Sequence, residues 1–258
     1  MNDALYIAAT GMNVQQRSVD TIANNLANVN TPGFKKGRVN FEDMVYRALG
    51  APAGQADASR PAWQGSGVGM LSLVKQFAPG ELRKTEQPLD IAIQGEGFFE
   101  VNATDGTPAY SRGGSLIVDK DGFLSTADGH VLKPGIHIGL DALEITVKQD
   151  GRVLVRNREG GSSNEVGRIE LVRFADTQGL VALGGNLYRP SAQSGDAILG
   201  RAGEDGLGGI AQGFLESSNV KLVEEMVDLM AAQRAYESNV KVIQAADEML
   251  AMSNNLRK

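Results

Sequence analysis

Apolar residues recur with alternating steps of three and four at both ends of this 258-residue chain, a spacing that only an α-helix turns into a continuous stripe. Near the N-terminus the series is Leu5, Ala8, Met12, Gln15, Val19, Ile22 and Leu26, in which only Gln15 is polar. Near the C-terminus it is Leu222, Met226, Leu229, Gln233, Tyr236, Val240, Ile243, Asp247 and Leu250, within a stretch free of Gly and Pro from Val220 onward. Long stripes of this kind suit association of one helix with another. The first helix is expected over residues 3–29. Asn2 or Asp3 can cap its start, and Asn30-Thr31-Pro32-Gly33 ends it, because Pro disfavours helix in the residue before it and Gly permits a tight turn. For the second helix, Ser217, Ser218 or Asn219 can cap the start. Glu224, Glu225 and Asp228 follow early and Arg257 and Lys258 lie past the end, the order that the helix dipole favours. At 1.5 Å per residue it would be on the order of 50 Å long.

Between the helices the pattern changes. Short β-branched and aromatic runs at 68–77, 89–94, 98–101, 116–118, 145–147, 153–155 and 166–174 read as strands. Asp-Gly pairs at 105–106, 121–122, 128–129, 150–151 and 205–206 tolerate the positive φ angles of tight turns. Glycine, at 32 of 258 residues, is well above the usual share of roughly 7%. The expected fold class is mixed α and β: long terminal helices that pair in coiled-coil fashion, and an all-β, mainly antiparallel middle. The expected divisions are 1–30 for the first helix, 31–85 for a joint, an extended segment and the first strands, 86–215 for the β-rich domain, and 216–258 for the second helix. Residues 50–69 show neither period and read as an extended surface segment.

Chemistry finds little purchase. The absence of cysteine removes disulfides, thiolate metal sites and cysteine nucleophiles, and two histidines, His130 and His137, leave little for imidazole ligation. Their spacing of seven in a strand-rich stretch would put them on opposite faces. Gly65-Ser-Gly67-Val-Gly69 lacks the strand-then-helix context of a dinucleotide loop, and Asp119 and Asp121 lack the later ligand of a calcium loop. No Gly-x-Ser-x-Gly elbow is present. The expectation is no catalytic residue, no cofactor and no metal. With 25 Lys+Arg against 31 Asp+Glu, a net charge of −6, nucleic acid is not an expected partner. The first basic residue is Arg17 and no run of about 20 apolar residues occurs, so neither a secretory leader nor membrane insertion is expected. A helical hairpin would leave Ile7, Val223, Val227, Met230, Val242 and Met249 in need of cover, which neighbouring copies could supply.

Three stretches carry a resemblance. Ile22-Ala-Asn24-Asn25-Leu26-Ala-Asn28-Val-Asn-Thr31-Pro32-Gly33-Phe34-Lys35 closely resembles the N-terminal signature of bacterial flagellar rod and hook proteins. Leu89-Asp90-Ile-Ala-Ile-Gln-Gly95-Glu-Gly97-Phe98-Phe99 and Gly213-Phe-Leu-Glu216-Ser-Ser-Asn219-Val220, with Gln233-Arg234-Ala235-Tyr236-Glu237 beyond, are similar to the same family. Total length, Phe41-Glu42-Asp43 and the extra segment 46–69 resemble its distal-rod members most. The resemblance implies a structural subunit of the distal rod that polymerises helically around an export channel, passes torque from motor to hook, and catalyses nothing. It implies a homopolymer that meets proximal rod proteins and hook protein along the axis, the surrounding L- and P-ring proteins, and the flagellar export apparatus. It also implies the basal body and the periplasm as location, reached without a cleaved signal peptide. The alternatives are another axial protein, either a proximal rod or a short hook subunit, and a secreted β-domain binding module with oligomerising helical ends.

On this reading Leu5, Met12, Val19, Ile22, Asn24, Asn25, Leu26, Asn28, Leu222, Met226, Leu229, Tyr236, Val240, Ile243 and Leu250 form the inner-tube interface between subunits. Asn24, Asn25 and Asn28 are poor helix-interior residues, so their amides are expected to bond neighbouring backbone and fix helix register, with plain solvent exposure as the alternative. Thr31, Pro32, Gly33 and Phe34 form the joint, with Phe34 as an anchor against the second helix or the β domain. The 46–69 segment is either a brace between subunits or a flexible loop.

Overall fold

The computed structural model describes residues 2–44, 47–49, 62–65, 67–103, 105–139, 142–157 and 163–255. Two long helices stand at the ends of the chain: α1, Asn2–Ala27, and α2, Leu222–Asn255. The first stops two residues short of the expected end. Thr31 donates its backbone N–H to the Asn28 carbonyl at 3.1 Å and its hydroxyl to Asn28 Oδ1 at 3.1 Å, which closes a turn just before Pro32 removes the next donor. The side chains of Asn2 and Asp3 and the residues Arg257 and Lys258 lie outside what is described.

The second helix has no cap at the residues expected to supply one. Ser218 Oγ accepts from Val220 N at 3.3 Å, Ser217 donates its N–H to the Glu81 carbonyl, and Asn219 spends its amide on residues far away in sequence. The first intrahelical bond runs from Glu225 N to the Lys221 carbonyl at 3.0 Å, so Lys221 occupies the cap position. Its ammonium bonds Glu224 at 2.9 Å on the exposed first turn.

The chain divides into two units. The first comprises Met1–Ala27, Gly37–Val74 and Lys221–Lys258, and the second Asn28–Lys36 and Lys75–Val220. In the first unit α1 and α2 pack along each other in opposite directions, as the pairs Gly11 with Asn239 and Asn25 with Glu225 show. A two-stranded ribbon of Gly37–Asp43 and Val68–Lys75 accompanies α1. Beyond it Arg47–Leu49 pairs antiparallel with Ala62–Gln64, so the stretch read as 50–69 contains a short strand, while residues 50–61 lie outside the described ones.

The second unit is built from antiparallel strands. Its largest sheet has six, in the order Val181–Gly184, Leu187–Arg189, Pro108–Ser111, Phe98–Asn102, Glu170–Arg173 and Ile198–Arg201. One cluster around Phe99, Val101, Leu132, Val153, Ile169 and Leu171 is almost wholly buried, each such side chain contributing roughly 1.5–3 kcal/mol of transfer free energy. A second, aromatic cluster holds Phe98, Tyr110, Val172, Phe174 and Tyr188, with Phe77 edge-on to Phe98 at 5.2 Å and to Tyr188 at 4.9 Å. Burial raises the Tyr188 phenol well above its ordinary range. All five Asp-Gly glycines adopt positive φ, as tight turns require. The run at 166–174 is two strands, Asn164–Arg168 and Glu170–Arg173, because Ile169 turns inward between them and donates its N–H to the Gly151 carbonyl at 2.8 Å.

Candidate assembly surface and joint

The buried stripe of α2 runs Glu225, Leu229, Ala232, Asn239, Ile243, Ala246 and Leu250, all buried or half-buried. It shares Leu229, Ile243 and Leu250 with the expected series, takes in Asn239 beside the half-buried Val240, and passes through Glu225, Ala232 and Ala246 in place of the exposed Met226, Gln233 and Asp247. The physical reason is size. Ala232 and Ala246 are small enough for two helix backbones to approach, and between them along α2 Asn239 faces Gly11, on which a Cβ would stand 3.0 Å from Asn239 Nδ2. The larger apolar residues are turned outward: Leu222, Val223, Met226, Val227 and Met230 are all exposed, Val223 to 73% and Met226 to 50%. Toward the far end Tyr6, Ile7, Tyr236, Val242, Met249 and Met252 are exposed as well. On α1, Ile22 and Asn25 are buried, Leu5, Met12, Val19 and Leu26 are half-buried, and Asn24 faces solvent; Asn28, in the turn after α1, is half-buried, as is Val240 on α2.

Asn25 ties three parts of the first unit together. Its Oδ1 accepts from Gly37 N at 2.8 Å, and its Nδ2 donates to the Gly37 carbonyl at 2.9 Å and to Glu225 Oε2 at 3.0 Å. One amide thus satisfies both backbone groups at the start of the ribbon and a buried carboxylate on α2. A Cβ at Gly37 would stand 3.3 Å from Thr21 Cγ2, a tight contact, and 3.5 Å from Asn25 Oδ1.

The joint belongs to the second unit. Thr31 and Pro32 are half-buried, while Gly33, Phe34 and Lys35 are buried. Gly33 has φ +71° and donates its N–H to the Glu216 carbonyl at 2.7 Å. The Pro32 carbonyl accepts from Asn186 at 3.0 Å, and Lys75 Nζ lies 4.2 Å from the Phe34 ring centroid while donating to the Lys35 carbonyl. Burial lowers the pKa of Lys75. At the centre Lys35 Nζ meets Glu216 Oε1 at 2.7 Å, and Arg112 Nε meets Glu216 Oε2 at 2.9 Å, with side-chain exposures of 0%, 4% and 1% for Lys35, Arg112 and Glu216. Burial pushes the Lys35 pKa below its ordinary value, against the pull of the Glu216 carboxylate, and Arg112 pushes the same way as burial. Sequence reasoning gave Lys35, Arg112 and Glu216 no role. Lys35 and Glu216 lie inside the recognised stretches, but nothing in local spacing pairs residues so far apart.

Three regions of the chain match known families: residues 5–35 the flagella basal body rod protein family, 92–155 the D1 domain of the flagellar hook protein FlgE/F/G family, and 211–256 the C-terminal region of flagellar basal body rod FlgEFG proteins. The flagellar basal-body rod protein FlgG of Borreliella burgdorferi is 42% identical over 265 residues, covering 100% of both chains. That of Agrobacterium fabrum is 41% identical, covering 98% of this chain and 99% of its own. This chain belongs to the flagellar basal-body rod protein family. The rod protein FlgF of Caulobacter vibrioides is 35% identical over 96% of this chain and 95% of its own.

As a member of that family the chain is a structural protein of the flagellar basal body and not an enzyme. The three matched regions meet in the joint: Lys35 comes from the first, Arg112 from the second and Glu216 from the third. Gly33, near the end of the first region, leaves no room for a side chain, because a Cβ would lie 2.9 Å from Gly113 N and 3.0 Å from the Arg112 carbonyl. Gly33→Ala is expected to lower the stability of the second unit by about 2 kcal/mol, from the positive φ and the crowding together, as read by urea denaturation of the purified protein.

Proposed function

We propose that this rod-family protein is a subunit of the distal rod that polymerises helically with copies of itself through α1 and α2 and carries torque from motor to hook. The observation that carries the reading is the apolar face of α2. Five large side chains from Leu222 to Met230 stay uncovered in the single chain, which is costly for an isolated subunit and ordinary for one made to be packed by neighbours. The interface so defined takes in the outward residues Leu222, Met226 and Tyr236, and the flanks Leu5, Met12, Val19 and Leu26, with α1 and α2 paired in coiled-coil fashion. Distal position is supported by full-length likeness to proteins named FlgG at 42% and 41% identity, against 35% for the one named FlgF. Along the axis the partners are proximal rod proteins and hook protein, around it the L- and P-ring proteins, and the subunit reaches the periplasm through the flagellar export apparatus.

Electron microscopy of basal bodies from cells lacking this gene, with a complemented strain beside them, tests the position. Rods cut short before the outer ring, with no hook, are expected. A complete rod without a hook would move the subunit to the hook, and normal basal bodies would overturn the rod assignment.

A further inference from the structure

Three segments far apart in sequence are knotted around one buried carboxylate in the second unit. Glu216 Oε1 accepts from Lys35 Nζ and from Gly80 N at 2.8 Å, while Lys35 Nζ also donates to the Ala78 carbonyl at 2.9 Å. Arg112 spends its Nη1 on the carbonyls of Gly95 and Gly97 at 2.9 and 2.7 Å. Around this core Asn219 Oδ1 accepts from Lys36 N at 2.7 Å, and Asn219 Nδ2 donates to the carbonyls of Gln76 and Ala78. Gln76 donates its N–H to the Lys36 carbonyl at 2.9 Å. Residues 33–36, 75–80 and 216–219 are thereby held in one arrangement, and each stands beside a place where the chain leaves this unit, at Gly37, Val74 and Lys221.

Apolar side chains would fill this space at lower desolvation cost, since burying three charges offsets much of what their attraction returns. What apolar packing lacks is direction: a methyl group is satisfied by many neighbours, whereas the carboxylate is satisfied by donors from three segments at once. We infer that Lys35, Arg112 and Glu216 are positioning residues that select a single arrangement of the three chain segments, and that they add little net stability as a group. This inference concerns the isolated subunit and stands or falls independently of the distal-rod reading.

The test compares full-length E216Q with the double variant E216Q/K35M. Wild type buries two cations and one anion, and the double variant keeps the same net charge with Arg112 alone. The double variant is expected to be more stable than E216Q in urea denaturation, because it relieves the stranded Lys35 and leaves only Arg112 without its carboxylate. Amide hydrogen exchange followed by NMR supplies the decisive readout. In the double variant the amides of Gly33, Lys36 and Ser217 should exchange at least tenfold faster than in wild type, while Val101, Ile169 and Leu171 in the core keep their protection. Unchanged exchange at Gly33, Lys36 and Ser217 would overturn the inference, as would equal acceleration of the core amides or a double variant no more stable than E216Q.

Discussion

Replacing Glu216 by Gln is expected to cost about 3–5 kcal/mol, because it removes the single anion between two buried cations and leaves Lys35 and Arg112 uncompensated. For a chain of this length that is roughly 10 °C in the melting temperature of the second unit, measurable by calorimetry. The pH dependence of the variant carries a sign. Burial already lowers the Lys35 pKa, and the carboxylate that pulls it back up is gone in the variant. Below the folded-state pKa of Lys35 both folded and unfolded chains hold the ammonium, so the burial cost is present in full. As pH rises from that value toward 10.5 the folded state releases its proton first, and the unfolded state then binds more protons than the folded one. The deficit of Glu216→Gln relative to wild type should therefore shrink as pH rises from the variant's folded-state Lys35 pKa to that of wild type, which burial also holds below 10.5. A deficit that stays constant or grows over that range would show that Lys35 is not the group left stranded.

Asn25→Leu is expected to cost about 2–4 kcal/mol in the first unit. The leucine fills the space but orphans both backbone groups of Gly37 and takes a donor from the Glu225 carboxylate, each a buried polar group left short of a partner. Asn25→Asp should be worse still at neutral pH, since it sets a second carboxylate against Glu225 and the Gly37 carbonyl. Urea denaturation monitored by helical circular dichroism reads both, and an Asn25→Leu protein as stable as wild type would refute the role given to this amide.

The helices were legible in the sequence because their signal is local and repetitive, and the joint because Pro32 and Gly33 act on their own backbone neighbours. The Asp-Gly turns were legible for the same reason. The facing stripe of α2 departs from the expected series at Met226, Gln233 and Asp247, since a rule that counts large apolar residues favours Met226 over the small Ala232 and Ala246. Helices that approach closely reward small residues, which a hydrophobic pattern scarcely records. The expected cap at 217–219 failed because Asn219 is claimed by Lys36, Gln76 and Ala78, partners that only tertiary structure supplies. The same limit hid the Lys35–Glu216–Arg112 cluster: a lysine next to another lysine, or a glutamate before two serines, reads as surface until distant segments close over it. For Asn25 the residue type was itself the clue, since an asparagine inside a helical stripe invites the question of what its amide bonds.

Because the chain contains no cysteine, a single one can be placed on the outward face of α2 and read without background. The central claim is that this face is covered by neighbouring copies in the rod. Val223→Cys and Met230→Cys should react readily with a maleimide in the purified subunit, become protected in isolated basal bodies, and react again once the rods are dissociated. Equal reactivity in subunit and intact rod would contradict the assignment of α2 as an assembly surface.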